Sequence, residues 1–265
     1  MLTNHELYSE FSNRRIQVFH ANSLLDTIVY AKHRGIVARS VLFAEGNANY
    51  TNFFTDPLDK QLGLEDKVFF NFCDQGIACK GMRGMPNAYG PILFVFAPEK
   101  LLEFGDFTLN KIPLTQAEKR HPFNPQPIVS ASELPDMFQP SNPGWFTDES
   151  NHAELIVNQE IVPLTNLARI VVDPIPTERG FLIDHVKELF PKTVVMERDF
   201  KDPSHRALYV ELCKHVISNR GNLAVSTASA GIREYLSRAN RNGGLEIWAE
   251  RIYLSNYVPA KSIAA

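Results

Sequence analysis

The stretch NHAELIVNQEIVPL, residues 151–164, contains the residue on which the interpretation of this sequence depends. The Val, Leu and Ile residues of ELIV predict a β-strand, in which successive side chains point to opposite faces. Glu154 would then lie on the face opposite Leu155 and Val157. No Lys or Arg occurs within five residues of Glu154, and a carboxylate against an apolar core is costly unless it is paired or used. The stretch leaves two interpretations open: an exposed glutamate at a strand end, which is the commoner case, or a functional carboxylate.

The bulk composition is that of a folded protein. With 265 residues, of which 44% are hydrophobic and 22% charged, the chain can form one large domain, or one domain with a helical appendage. It has no apolar run of about 18 residues, the length of a membrane span, and its beginning lacks the apolar core of a signal peptide. Cys73, Cys79 and Cys213 form no CxxC pair, so the sequence predicts neither a disulfide framework nor a zinc site and favours a cytoplasmic location.

The net charge of −3 gives no overall signature of nucleic-acid binding, for which a strongly basic protein is typical. The distribution is uneven, however, because residues 204–265 contain eight Lys or Arg and four Asp or Glu. This final segment therefore carries +4 and the rest of the chain −7. Such a segment permits a nucleic-acid partner without requiring one.

The pattern along the chain predicts an α+β fold of short strands with few helices. Strands are predicted at residues 16–21, 35–44, 67–73, 90–97, 154–157, 168–173 and 192–200. Helices are predicted from Asn22 or Ser23 to a stop at Gly35, at residues 180–190, and from Asp202 onward. We expect a domain at 1–201 and a helical C-terminal extension at 202–265. Residues 111–147 contain seven prolines and are predicted to form an insertion or lid.

Several common catalytic and binding motifs are absent from the sequence. It contains no GxxxxGK[ST] phosphate-binding loop, no GxGxxG after a strand, no HExxH and no GxSxG. Histidine and glutamate residues on predicted strands are therefore the remaining candidates for chemistry.

Two separate segments resemble the ADP-ribosyltransferase fold. VFHANSLLDTIVYAKHRGIVAR, residues 18–39, is similar to its beginning, where the first strand of the H-Y-E branch carries the NAD-binding histidine. NHAELIV, residues 151–157, is similar to the strand that presents the catalytic glutamate. The segments between and after these two follow the order of the same fold. They are KVFFNFCDQGIACKGMRGMPNAYGPILFVF and the later segment from ARIVVD to RDF. Over residues 16–200 the chain resembles the DarT family of NAD-dependent DNA ADP-ribosyltransferases.

The resemblance implies specific roles for five residues. Glu154 would be catalytic and His20 would bind NAD, with Asn22 assisting, and Gly35 occupies the position of a family glycine. An aromatic residue should pack against nicotinamide, and among the phenylalanines of VFFNF we choose Phe72. No metal is required.

The chemistry explains why one unpaired glutamate would suffice. Cleavage of the nicotinamide–ribose bond passes through an oxocarbenium-like transition state, as in glycoside cleavage. A carboxylate that faces the positive sugar stabilises this state, and it can also help to deprotonate a weak nucleophile.

One departure from the family pattern concerns a catalytic arginine. Related enzymes carry an arginine-rich stretch between the first helix and the aromatic strand, whereas NFFTDPLDKQLGLEDK, residues 52–67, has no arginine. Lys60 is the nearest cation, and Arg39 and Arg83 are alternatives from flanking segments. Arg and Lys are not equivalent where bidentate contacts matter, so both the helper residue and the target base are open.

The resemblance implies single-stranded DNA as the acceptor, because a base must be unstacked before it is modified. Loop residues could stack bases or meet phosphates, namely Tyr50, Phe53, Phe54, Tyr89, Trp145, Lys80 and Arg83. The resemblance also implies that the protein is a toxin with a macrodomain-containing antitoxin partner. Two alternatives stay open: an ADP-ribosyltransferase acting on RNA or protein, and a non-catalytic binding module in which the basic C-terminal segment makes the contact.

Overall fold

The computed structural model describes residues 2–46, 56–72, 74, 89–111, 114, 126–135, 153–200, 202–238, 249 and 252–253. In this part of the chain the fold is α+β, as predicted. The chain divides into two compact units, each built from three segments. The first comprises Met1–His20, Lys32–Cys73 and Val95–Ala168, and the second comprises Ala21–Ala31, Asp74–Phe94 and Arg169–Ala265.

The described helices and strands are short. The helices are α1 (Asn4–Asn13), α2 (Leu24–His33), α3 (Arg39–Ala44), α4 (Asp56–Gln61), α5 (Leu182–Leu189), α6 (Pro203–Ser218) and α7 (Ala230–Arg238). The strands are β1 (Val18–Asn22), β2 (Gly35–Val37), β3 (Val68–Asn71), β4 (Ile92–Phe96), β5 (Phe107–Asn110), β6 (Glu154–Val157), β7 (Ile161–Pro163), β8 (Leu167–Val172), β9 (Pro176–Thr177), β10 (Gly180–Phe181) and β11 (Val195–Glu197). Among the described residues, none of these helices is long and apolar enough to cross a membrane.

An antiparallel arrangement of strands forms the centre of the first unit. Residues 18–20 of β1 and the strands β3, β6 and β5 lie side by side in that order, and both neighbours of β6 run antiparallel to it. Phe70 and Leu155 lie opposite each other in this register and are fully buried. The Phe70 ring also packs against Phe96 and Phe104. This apolar face explains why ELIV forms a strand here: its odd-numbered side chains complete the core.

The second unit contains a parallel strand pair. Residues of β8 pair in parallel with β11, and β4 lies on the other side of β8. The amphipathic helix α5 connects β8 to β11, as a parallel pair requires a crossover. Asp202 caps α6 by accepting a hydrogen bond from Ser204 N–H, which confirms the predicted start of that helix. The boundary at 201/202 between two domains stays a prediction.

The strand expected within residues 35–44 is present but short. The strand β2 ends at Val37, and α3 begins at Arg39. Gly35 does not supply the left-handed stop after α2, because Arg34 adopts that conformation with φ 51°. Gly35 instead begins β2, where a Cβ atom would lie 2.9 Å from the Val162 carbonyl oxygen. The glycine is needed for close strand approach.

The expected insertion at 111–147 is partly packed. Residues 126–128 lie beside the end of β5, because Lys111 N–H donates to the Gln126 carbonyl at 3.0 Å and Ile128 N–H donates to the Leu109 carbonyl at 2.8 Å. Ile128 and Leu134 are buried. The prediction of an unpacked segment is therefore wrong for residues 126–135, while most of the insertion lies outside the described residues.

Near the C-terminus, Ala249, Ile252 and Tyr253 are helical. The sequence of residues 245–258, LEIWAERIYLSNYV, fits either a helix or a strand, and these three residues favour a helix where they lie.

Candidate active site

Glu154 is the first residue of β6 and lies between two asparagines on the neighbouring strands. Its register partners are Asn71 on β3 and Asn110 on β5. Residues directly opposite each other in an antiparallel pair share a face of the sheet. Glu154, Asn71 and Asn110 therefore form a polar row on the face opposite the Leu155 side chain.

The carboxylate of Glu154 is partly buried and has a raised pKa. Burial raises the pKa to about 7; the hydrogen bond from Leu114 opposes this shift, and the negative charge of Asp59 adds to it. The Leu114 backbone N–H donates to Glu154 Oε2 at 3.2 Å. These surroundings contradict the interpretation of Glu154 as an exposed residue at a strand end. Burial-raised pKa values occur at functional carboxylates and also at structural ones such as Asp173.

Asp59 and Arg39 form an ion pair between two helices, and the charge of Asp59 acts on the pKa of Glu154. Asp59 on α4 is 6% exposed, and Arg39 at the start of α3 donates from Nη1 to Asp59 Oδ2 at 3.0 Å. Of the two proposed cations that the structure describes, Arg39 and Lys60, Arg39 is the one linked through Asp59 to the electrostatics of Glu154. Lys60 is exposed, and its Nζ lies 5.9 Å from the centre of the Phe43 ring.

His20 is held against β3. Its Nδ1 donates to the Phe69 carbonyl oxygen at 2.7 Å, because a carbonyl can only accept, and this fixes the orientation of the ring. The ring meets the edge of Phe70, with centroids 5.7 Å apart.

The strand register separates His20 from Glu154. Phe19 lies opposite Asn71, and Asn71 lies opposite Glu154. By alternation, His20 belongs to the face of Phe70 and Glu154 to the face of Asn71. His20 and Glu154 therefore lie in the same unit but on opposite faces of its strands.

The remaining predicted NAD-binding residues have structural contacts. Asn22, in the second unit, donates from Nδ2 to the Tyr30 hydroxyl and accepts from Ser23 N–H at 2.9 Å. Phe72 is buried, and its ring centre lies 4.6 Å from that of Phe11.

Of the three phenylalanines in VFFNF, Phe69 is the one on the face of Glu154. It lies opposite Ile156 and is only partly buried. Phe70 and Phe72, by contrast, are buried.

Sequence reasoning missed four residues around Glu154: Asp59, Asn71, Asn110 and Leu114. No local pattern marks them, since their relation to Glu154 depends on strand register and on helix placement. Tyr89 is partly buried in a turn. The other predicted acceptor-contacting residues lie outside the described residues, namely Tyr50, Phe53, Phe54, Lys80, Arg83 and Trp145.

Comparison with known proteins gives structural similarity only. No protein-family model matches the sequence, and no curated protein matches it. The fold is similar to structures of DarT from Thermus sp. 2.9. The complex with ADP-ribosylated single-stranded DNA has 13% identity and a TM-score of 0.42, covering 70% of this chain and 95% of that chain.

Two further Thermus sp. 2.9 DarT structures show the same level of similarity. The complex with carba-NAD+ has 13% identity and a TM-score of 0.39, covering 71% of this chain and 97% of the other. The complex with NAD+ has the same identity and TM-score, with 69% and 96% coverage. Similarity of this size does not establish a family.

Proposed function

We propose that this protein is an NAD-dependent mono-ADP-ribosyltransferase that modifies a base in single-stranded DNA. The proposal is supported by the order of sequence segments around His20 and Glu154. The observation that carries it is the state of Glu154: a carboxylate in a polar row at a strand end, with its pKa raised to about 7 by burial.

Glu154 would act on the positive charge that develops when the nicotinamide–ribose bond breaks. A partly desolvated carboxylate interacts more strongly with a cation than an exposed one does. The positive nicotinamide ring of bound NAD would also favour the ionised form of Glu154. The side chain would thus become a carboxylate when its substrate is present.

The transfer reaction balances without a further reactant. A nitrogen of the acceptor base forms a bond to the ribose carbon C1″, and the bond from that carbon to nicotinamide breaks with its electron pair going to nicotinamide. The acceptor nitrogen loses a proton, and a carboxylate with a pKa of about 7 can accept it at neutral pH.

Other residues would position NAD. His20, oriented by its bond to the Phe69 carbonyl, would contact the NAD ribose or carboxamide. Arg39 would stabilise phosphate charge from its place beside Asp59, with Lys60 and Arg83 as alternative catalytic cations. Asn22, Gly35 and Phe72 stay proposed contributors to the NAD site through the sequence resemblance.

The biological setting rests on the sequence resemblance alone. A cytoplasmic toxin that marks single-stranded DNA would be opposed by a macrodomain-containing antitoxin, which would remove the ADP-ribose.

The decisive test is transfer of labelled ADP-ribose from NAD. Purified protein is given single-stranded DNA oligonucleotides of different base content and, in separate reactions, RNA or a protein mixture, with Glu154→Gln as the control. We expect label on one oligonucleotide class and none with the variant. If NAD is cleaved but label appears only on RNA or protein, the acceptor is RNA or protein and not DNA. No turnover of NAD with any of these acceptors would contradict the proposed activity and favour a binding module.

A further inference from the structure

The first unit contains a pocket of about 400 Å³ beside the polar row of Glu154. We call it the β5–β6 pocket, because β5, β6 and the segment after α4 line it. Its apolar walls include Leu62, Leu64, Leu114 and Ile156, and its polar residues include Asn110, Lys67 and Asp106. Ile156 and Asn110 share the face of Glu154 by register and alternation. The volume lies within the range of small-molecule sites.

Asn110 is the unusual residue of this pocket. It is 2% exposed, and its side-chain carbonyl oxygen accepts no hydrogen bond within the part of the chain that the structure describes. Leaving a buried polar atom unpaired costs about 1–3 kcal/mol, so such atoms are rare and call for a specific reason. A ligand that donates an N–H at this end of the pocket would provide that reason.

The shape and polarity of the pocket define the ligand. Leucine and isoleucine walls suit the faces of a flat ring, whereas an amide at the end suits a ring edge with an N–H donor. A nucleobase has both features. A benzene-like ring would leave the Asn110 oxygen unpaired, and a phosphate would offer no N–H donor to that oxygen.

The pocket lies close to the reacting position of the proposed function. Asn110 is directly opposite Glu154, and adjacent strands are about 4.8 Å apart. Leu114, which lines the pocket, donates its N–H to the Glu154 carboxylate. A ring bound in the pocket would therefore present an edge next to Glu154.

We propose that the β5–β6 pocket binds the acceptor base, and that Asn110 selects it by accepting a hydrogen bond from a ring N–H. This inference rests on the proposed function and adds the place and the selecting residue for the acceptor. The nicotinamide carboxamide also carries N–H donors, so the test separates these two rings.

The test compares Asn110→Leu, which keeps the number and branching of the side-chain heavy atoms but removes the amide, with Asn13→Leu, a matched change at an exposed residue of α1. Three quantities are measured: transfer to the preferred oligonucleotide, NAD hydrolysis without an acceptor, and oligonucleotide binding without NAD by fluorescence anisotropy. Melting temperatures confirm that both variants fold. We expect Asn110→Leu to lower the ratio of transfer to NAD hydrolysis about tenfold or more, and to weaken oligonucleotide binding similarly.

Three results would overturn the inference. If Asn110→Leu raises KM for NAD and lowers hydrolysis and transfer equally, the pocket holds nicotinamide. If Asn110→Leu matches Asn13→Leu in every assay, the pocket has no acceptor role although the transferase activity stands. If the wild-type protein turns over no NAD and Asn110→Leu binds oligonucleotides as the wild type does, both proposals fail. Weakened binding without NAD turnover would retain the base pocket and reject the transferase.

Discussion

Burial raises the pKa of Glu154 to about 7, so near neutral pH the side chain is a mixture of carboxylate and carboxylic acid. Only the carboxylate can stabilise the positive transition state. We therefore expect the transfer rate to rise about tenfold per pH unit below pH 7 and to level off above it. Initial rates between about pH 5.5 and 9 at low NAD concentration measure this profile, which reports on the free protein. A flat profile would remove Glu154 from this role.

The pair of Asp59 and Arg39 should tune this pH dependence in opposite directions. The negative charge of Asp59 raises the pKa of Glu154, so Asp59→Asn should move the midpoint to lower pH. Arg39→Gln removes the cation that offsets Asp59, so it should move the midpoint to higher pH. The same rate profiles provide the measurement. If the midpoint shifts in the same direction for both variants, the Asp59–Arg39 pair does not set the pH dependence of Glu154.

Glu154 should also lower the stability of the folded protein above pH 5. Its pKa is higher in the folded state than its ordinary value of 4.5, so ionisation costs stability as pH rises from about 4.5 to 7 and the cost is full above 7. Glu154→Gln should therefore stabilise the protein at pH 8 by on the order of 1–3 kcal/mol, and by little at pH 4.5.

Urea unfolding at pH 4.5, 6 and 8 tests this expectation. Glu188→Gln, at an exposed glutamate of α5, controls for the loss of a carboxylate. Equal effects of the two substitutions at every pH would show that Glu154 carries no ionisation cost.

Among the secondary-structure elements, the pairing of β2 with β7 depends on Gly35. A Cβ at this position would lie 2.6 Å from Ile161 Cγ2 and 2.9 Å from the Val162 carbonyl oxygen. The first contact can relax by a side-chain movement, but the second involves backbone. Gly35→Ala should therefore destabilise the protein by about 1–3 kcal/mol, and Ile161→Ala should restore only part of the loss. Chemical denaturation gives both values. Unchanged stability with lost NAD binding would instead support a direct NAD role for Gly35.

In the second unit, a buried charged cluster joins β8, α6 and the segment that follows β11. Arg198 contacts both Asp173 and Asp74, and the Tyr209 hydroxyl donates to Asp173 at 2.6 Å. Burial raises the pKa of Asp173, with the charge and hydrogen bonds of Arg198 acting against this. The guanidinium therefore compensates carboxylates that would otherwise be costly inside the protein.

Arg198→Met should destabilise the protein by about 3–5 kcal/mol, because it leaves the two carboxylates without their cation. Tyr209→Phe should cost only about 1–2 kcal/mol, since it removes one hydrogen bond from a cluster that keeps its ion pairs. Denaturant unfolding at pH 7 measures both free energies. A stabilised Arg198→Met variant would show that the cluster is replaceable by apolar packing.

Over the whole molecule, the alternation of apolar residues was sufficient to predict an α+β chain, the strand that begins at Glu154 and the helix that follows Asp202. These features are local, because each depends on side chains within a few residues and on caps such as Asp202. One error was local as well, because Arg34 took the left-handed conformation assigned to Gly35. The strand expected within residues 35–44 ends early, and residues 39–44 form a helix.

The surroundings of Glu154 were decided only by the tertiary structure. Asn110 and Leu114 come from segments about 40 residues away, and Asp59 from about 95 residues away. A shift of strand register by one residue would reverse every face, so the sequence of β6 cannot name its neighbours. The sequence by itself therefore determined that a lone carboxylate begins an apolar strand. Its raised pKa, its asparagine neighbours and its adjacent pocket follow from non-local pairing, because burial and charge depend on what the rest of the chain places around it.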